Sequence, residues 1–108
     1  MKLRDSHQLV RKAREVSSVL RGLSHPVRLR ILCRLCEGEA TVQELQEACG
    51  LAQAPTSQFL ARLRAEGRVV GERRGNQVFY SLTDERLVEL MHTLVRLYCN
   101  PKKEGAFK

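Results

Sequence analysis

The sequence predicts a mainly α-helical fold with a small β-hairpin: five helices and a two-stranded hairpin. Three observations predict it. Apolar residues recur at helical spacing through most of the chain. One stretch, Arg68-Val69-Val70-Gly71-Glu72-Arg73-Arg74, instead reads as a strand that reverses at Gly75-Asn76 into Gln77-Val78-Phe79-Tyr80-Ser81-Leu82. The length of 108 residues, with 43% apolar and 29% charged, suits a single domain over 1–108 with one small core.

The first helix is expected from about Asp5 to Arg21, where Leu9, Ala13, Val16 and Leu20 share a face and Arg11, Lys12, Arg14 and Glu15 take the other. Ser24 is placed to cap a second helix that has Pro26 in its first turn and runs to about Cys36. Its apolar positions, Val27, Leu29, Ile31, Leu32, Cys33, Leu35 and Cys36, leave only Arg28, Arg30 and Arg34 plainly polar, so it is expected to sit centrally. Thr41, with Glu44 three residues on, marks the start of a third helix that ends at Gly50. The fourth runs from about Gln53 to Glu66 and tolerates Pro55 only because it lies in the first turn.

Two short helices about a glycine-containing turn form a helix-turn-helix, and the hairpin that follows Gly67 is then its wing. A last helix starts at Thr83 or Asp84. Its stripe of Leu87, Leu90 or Met91, Leu94 and Leu97 or Tyr98 is nearly that of a coiled coil, and it stops at Pro101 before a disordered tail over 102–108.

Nineteen Lys and Arg against twelve Asp and Glu give a formal net charge of +7, which points to a polyanionic partner, although solubility alone would also account for it. No apolar run approaches a bilayer span, and Met1 to His7 turn polar where a signal peptide would be apolar, so a cytoplasmic protein without a membrane partner is expected. In a reducing compartment Cys33, Cys36, Cys49 and Cys99 are not expected to be a permanent disulfide framework, which leaves core packing, metal binding or redox sensing.

On a helical wheel of the fourth helix, Thr56, Leu60 and Leu63 fall on one side, the core, and Pro55, Gln58, Phe59 and Arg62 on the other. The second set suits a major groove of double-stranded DNA: Gln58 to pair with adenine, Phe59 to touch a thymine methyl, and Arg62 to hold a phosphate or guanine. Gln53, Thr56 and Ser57 lie near the positive end of the helix dipole, where a phosphate would sit. Phe59, placed opposite the core, is expected to meet either DNA or a neighbouring subunit. Arg73, Arg74 and Asn76 make a basic hairpin tip suited to backbone or minor-groove contact, although a solubilising tip has the same composition.

The runs Leu23-Ser24-His25-Pro26-Val27-Arg28-Leu29-Arg30-Ile31-Leu32, Thr41-Val42-Gln43-Glu44-Leu45, Ser57-Gln58-Phe59-Leu60-Ala61-Arg62-Leu63-Arg64 and Val78-Phe79-Tyr80-Ser81-Leu82 resemble the ArsR-type bacterial repressors over about Val16 to Cys99. The resemblance implies a homodimer whose first and last helices pair across a two-fold axis. It also implies binding to an inverted-repeat operator and release by an inducer. Family members often have histidine where Phe59 stands, so base preference there does not carry over.

Neither of the family's usual metal sites is expected. No cysteine lies within Glu39 to Glu44, and Arg86 stands where a second ligand should follow Asp84. Cys33-Arg34-Leu35-Cys36 lacks the second pair of a zinc ribbon. Cys33 in Ile31-Leu32-Cys33 and Cys99 in Arg96-Leu97-Tyr98-Cys99 resemble the thiol pair of persulfide-sensing members of the family. That resemblance implies a polysulfide bridge between Cys33 and Cys99 within one subunit, formed by a small reactive sulfur or oxidant inducer. Inserted sulfur atoms would span a gap too long for a relaxed disulfide. Cys36 and Cys49 are assigned to packing. As(III), Cu(I) or peroxide acting through the same thiols is the alternative inducer. A winged-helix protein-interaction or RNA-binding module is the alternative of another class. No cofactor is called for, and His7, His25 and His92 form no acid–base pair, so no enzyme is expected.

Overall fold

The computed structural model describes residues 2–99; the expected stop at Pro101 and the tail over 102–108 lie outside the described residues. Among the described residues the order is α1 (Leu3–Arg11), α2 (Ala13–Leu23), α3 (Pro26–Leu35), β1 (Ala40–Thr41), α4 (Val42–Cys49), α5 (Gln53–Ala65), β2 (Val69–Arg74), β3 (Gln77–Leu82) and α6 (Glu85–Tyr98). The single first helix of the sequence reading is thus two. Lys12 (φ −95°, ψ 7°) departs from helical geometry, yet its N–H still reaches the carbonyls of Gln8 and Leu9 and its own carbonyl accepts from Val16. The break is a local distortion in a nearly continuous ladder, and no proline or glycine marks it.

Helix α3 is capped by His25 rather than Ser24. The His25 Nδ1 accepts the N–H of Val27 at 3.1 Å, while the Ser24 hydroxyl donates backward to the Arg21 carbonyl at 2.8 Å. Pro26 occupies the first helical position as expected. The helix is central: Ile31, Leu32 and Leu35 are buried, with Val27, Leu29 and Cys36 packed at the edge of the same cluster. Two positions differ from expectation. Cys33 is exposed, and Arg28, read as plainly polar, is only 8% exposed. Its guanidinium pairs with Glu66 just beyond the end of α5, tying the central helix to the helix-turn-helix.

The capping box of α4 is complete. The Glu44 N–H donates to Thr41 Oγ1 at 3.2 Å and the Thr41 N–H donates to Glu44 Oε1 at 3.0 Å. Gly50 ends the helix in the left-handed region at φ 66°, where a Cβ would be strained. Thr56, Leu60 and Leu63 form the buried face of α5, with Thr56 Oγ1 donating to the Ala52 carbonyl at 2.8 Å.

The hairpin has the expected register, from Val69 opposite Leu82 to Arg74 opposite Gln77. Gly71 sits in a tight space rather than at a positive φ: a Cβ there would lie 3.0 Å from Val78 Cγ1 and 3.2 Å from a ring carbon of Tyr80, so both side chains would have to give slightly. A third strand was not legible: β1 is two residues long, too short for any periodicity, and pairs Ala40 with Tyr80 and Thr41 with Phe79. The sheet order is β1-β3-β2. Asp84 caps α6, its Oδ1 accepting the Arg86 N–H at 2.8 Å. Leu87 and Met91 of α6 enter the core, whereas Val95, Leu97 and Tyr98 remain exposed, as do Leu3, Leu9, Val10 and Leu20 of α1 and α2.

The hydrogen bonds from the Thr41 backbone and side chain hold the Glu44 carboxyl below its ordinary value of 4.5. A carboxylate whose folded pKa is depressed adds stability above the unfolded value and loses it as pH falls through the folded one. Glu44→Gln should therefore melt at lower temperature than the wild type at neutral pH, with the gap closing on acidification below about pH 4. Thermal unfolding followed by circular dichroism across pH checks this.

Candidate nucleic-acid interface and the thiol positions

Helix α5 presents Gln53, Ser57, Gln58 and Arg62 to solvent. Gln58 and Arg62 are one turn apart, so both project from the same outward stripe. Among the described residues, no hydrogen bond or ion pair holds either side chain. The other sequence-predicted residues of this helix sit differently. Thr56 is wholly buried and its hydroxyl is engaged with Ala52, so it supports the helix from inside. Pro55 and Phe59 are half-buried. Phe59 lies one turn before Leu63, at the border of the core stripe rather than opposite it. Its ring meets His25, the α3 cap, with centroids 4.8 Å apart. The apolar surface that was expected to need DNA or another subunit is largely satisfied within the chain.

The two arginines of the hairpin tip also part company. Arg74 is held on three sides: Nη1 and Nη2 donate to the two carboxylate oxygens of Glu39 at 2.6 and 2.9 Å, and Nε donates to Glu72 at 3.1 Å. Its guanidinium also lies over the Phe79 ring, 4.7 Å from the centroid. Hydrogen bonding to Glu39 and then Glu72 pushes the Arg74 pKa further up, and the bond from Arg74 holds Glu72 below the usual carboxylate range. Arg73 is exposed, and among the described residues no carboxylate pairs with it. Asn76 stands at the exposed tip. The adjacent pair thus divides into an anchor, Arg74, and an open cation, Arg73.

Between α4, the start of α5 and the hairpin lies a cleft of about 530 Å³. Five carboxamides line it: Gln43, Gln46, Gln53, Asn76 and Gln77. Sequence reasoning singled out only Gln53 and Asn76. The spacing of Gln43 and Gln46 places them on one face of α4, but only the β1–β3 pairing brings that face opposite Gln77.

Of the sulfurs, Cys33 and Cys99 are exposed, Cys36 is half-buried and Cys49 is buried in the core. All four are free thiols. Partial desolvation against the neighbouring helices raises the Cys33 pKa, and the charges of Cys99 and Glu37 push the same way, so Cys99 lies within electrostatic reach of Cys33. Burial likewise raises Cys36 and Cys49, for Cys49 against the opposing pull of Arg30 and Arg34. Cys33 is therefore a poorly ionised thiol at neutral pH while both it and Cys99 are open to reagents. At the start of α6, the Asp84 carboxylate is engaged by Arg86, with Arg86 Nη2 donating to its Oδ2 at 2.8 Å.

Residues 25–69 match the family described as "Bacterial regulatory protein, arsR family". The chain is 40% identical over 95 residues to the biofilm growth-associated repressor of Xylella fastidiosa (strain Temecula1 / ATCC 700964), covering 88% of this chain and 83% of that protein. The crystal structure of the transcriptional repressor BigR from Xylella fastidiosa superposes with a TM-score of 0.81 at 39% identity, over 92% of this chain and 98% of that one. The structure of reduced HlyU from Vibrio cholerae N16961 gives 0.79 at 32% identity, over 86% and 98% of the two chains.

Replacing Arg74 by Ala, or Glu39 by Gln, should loosen the hairpin from β1. Amide hydrogen exchange of Gln77 to Tyr80 is expected to speed up in both variants, and to stay unchanged in Arg73→Ala.

Proposed function

The chain belongs to the ArsR family of bacterial transcriptional regulators, and from that premise we propose that it represses by binding an inverted-repeat operator as a homodimer, releasing it when reactive sulfur species bridge Cys33 and Cys99. The observation that carries the DNA half is the open face of α5: Gln58 and Arg62 are exposed, one turn apart and, among the described residues, unengaged, and Arg73 on the wing is exposed with no carboxylate partner among those residues. Gln58 is suited to the donor and acceptor pair of adenine in the major groove, and Arg62 to guanine or a phosphate. Gln53 and Ser57 stand at the start of the helix, where the dipole favours a phosphate. Pro55, Thr56 and Phe59 set the position of this helix, and Arg74 sets that of the wing whose Arg73 and Asn76 touch the backbone.

The exposed apolar residues at the two ends of the chain support the homodimer. Leu3, Leu9, Val10 and Leu20 on α1 and α2, with Val95, Leu97 and Tyr98 on α6, leave a large apolar surface in water. Covering it with a second copy would add the burial that so short a chain lacks. Two copies related by a two-fold axis would then present two α5 helices to an inverted repeat. No helix among the described residues is long and apolar enough to cross a membrane, and action in the cytoplasm is part of the proposal.

The sensing half rests on two open thiols within electrostatic reach of each other. A low-molecular-weight persulfide passes its outer sulfur to each cysteine and leaves as the thiol. Attack of one cysteine persulfide on the inner sulfur of the other expels hydrogen sulfide and leaves a three-sulfur bridge. Such a bridge would pull on the end of α3. That end continues through Glu39, which holds Arg74, to Ala40, which pairs with Tyr80, and so reaches the wing.

In titrations of the protein's own promoter region, Gln58→Ala and Arg62→Ala should each weaken binding by about 1–3 kcal/mol, whereas retention of full affinity by both would remove α5 from the recognition role. Cys33→Ser and Cys99→Ser should each stay on DNA after persulfide treatment that displaces the wild type. Release of either variant would disprove the bridge, and mass spectrometry of the treated wild type should show the added sulfur joining these two positions.

A further inference from the structure

We propose that the amide-lined cleft between α4 and the wing seats a strand of the DNA sugar–phosphate backbone through uncharged hydrogen bonds, with Gln43, Gln46 and Gln77 as its donors. The inference rests on the reading of the protein as a DNA-binding regulator and adds a contact surface to it. Three features of the cleft carry it.

The first is its chemistry. Five carboxamides converge on about 530 Å³, and no charged side chain lines the space. Each amide offers two N–H donors, and phosphate and sugar oxygens are acceptors that such donors satisfy. The first turn of α4 cannot do this work itself, because Thr41 Oγ1 already takes the Glu44 N–H and Glu44 places a carboxylate at the helix start.

The second is its position. One wall carries Gln53 at the entrance of α5 and the other carries Asn76 and Gln77 at the turn of the wing. A duplex that receives α5 in its major groove and the wing on its flank runs one backbone between those two elements. The third is rigidity. Thr41 pairs with Phe79 in the sheet and leads directly into α4, and Ala40 pairs with Tyr80, so α4 with Gln43 and Gln46 and the hairpin with Gln77 are parts of one sheet-and-helix unit whose separation is set before any ligand arrives.

A neutral seat has a signature that a cationic one lacks. Counterion release follows the phosphates neutralised by Lys and Arg, so the loss of an amide contact lowers affinity without changing the slope of log K against log salt. The phosphate carries no sequence, so the loss is equal on specific and unrelated duplexes.

Fluorescence anisotropy with a labelled duplex from the protein's own promoter region and an unrelated duplex, over a series of salt concentrations, tests this in the full chain. Gln46→Ala and Gln77→Ala should each weaken binding about 3- to 10-fold on both duplexes with the wild-type salt slope, and the double variant should weaken it further. Gln46→Glu, which sets a negative charge against the phosphate, should weaken it more than the alanine variant does. Arg73→Ala serves as the contrast, with a slope shallower by about one. Thermal unfolding of each variant at the wild-type midpoint establishes that the fold is intact, as expected where Gln77 is exposed and Gln46 half-buried, both outside the core cluster. Full affinity in both the double variant and Gln46→Glu would overturn the proposal. So would a loss confined to the promoter duplex, or a slope that falls as it does for Arg73→Ala. If the wild type binds neither duplex, the DNA-binding reading fails first and the cleft proposal with it. If the wild type binds and Gln58→Ala weakens it while the cleft variants do not, the cleft proposal alone is lost.

Discussion

Thr41 holds two elements at once. Its backbone pairs with Phe79 in the sheet, and its side chain and N–H close the capping box that starts α4. One buried residue therefore fixes the wing against the first helix of the helix-turn-helix. Everything on that face inherits the constraint: the angle between the hairpin and α5, the width of the amide-lined cleft, and the place of Arg73 relative to Gln58. Arg74 reinforces it from outside, joining β2 to Glu39 immediately before β1. A hairpin attached only by its own turn would be marginal in water, whereas here a third strand and an ion pair give it a fixed base.

The distribution of cations follows from the same economy of shape. The chain's +7 net charge does not describe a uniform basic surface. Arg28 is buried against Glu66, Arg74 is enclosed by Glu39 and Glu72, and Arg86 lies between Asp84 and Glu15. Each joins elements far apart in sequence or caps a helix start. Arg62 on α5 and Arg73 on the wing are both exposed, and under the proposed function they would meet the polyanion, with the neutral amides of the cleft beside them. Affinity for a phosphate backbone can then combine a salt-sensitive part with a part that salt leaves alone.

The sulfur atoms sit at the other end of α3 from its His25 cap. That helix is the central strut of the core, with Ile31, Leu32 and Leu35 buried, and it carries Cys33 on its open side. Under the proposed function, a change in covalent state there would act on the segment that runs directly into Glu39, Ala40 and Thr41. The raised pKa of Cys33 means that its environment resists ionisation. Under the proposed function, selectivity would come from geometry more than from thiolate reactivity.

Sequence alone determined the features that depend on near neighbours. The capping box at Thr41 and Glu44, the Gly75-Asn76 reversal and its register, the Asp84 cap, and the buried Thr56, Leu60 and Leu63 stripe were all legible, because each is set by residues within a turn or two of one another. The tertiary structure decided what needs partners from afar. It placed β1 against β3, sent Arg28 inward to Glu66, turned Arg74 into an anchor while leaving its neighbour exposed, laid Phe59 on His25, and brought Gln43 and Gln46 opposite Gln77. A side chain's partner across the fold depends on which surfaces the packed core brings together, and periodicity along one segment carries no record of that.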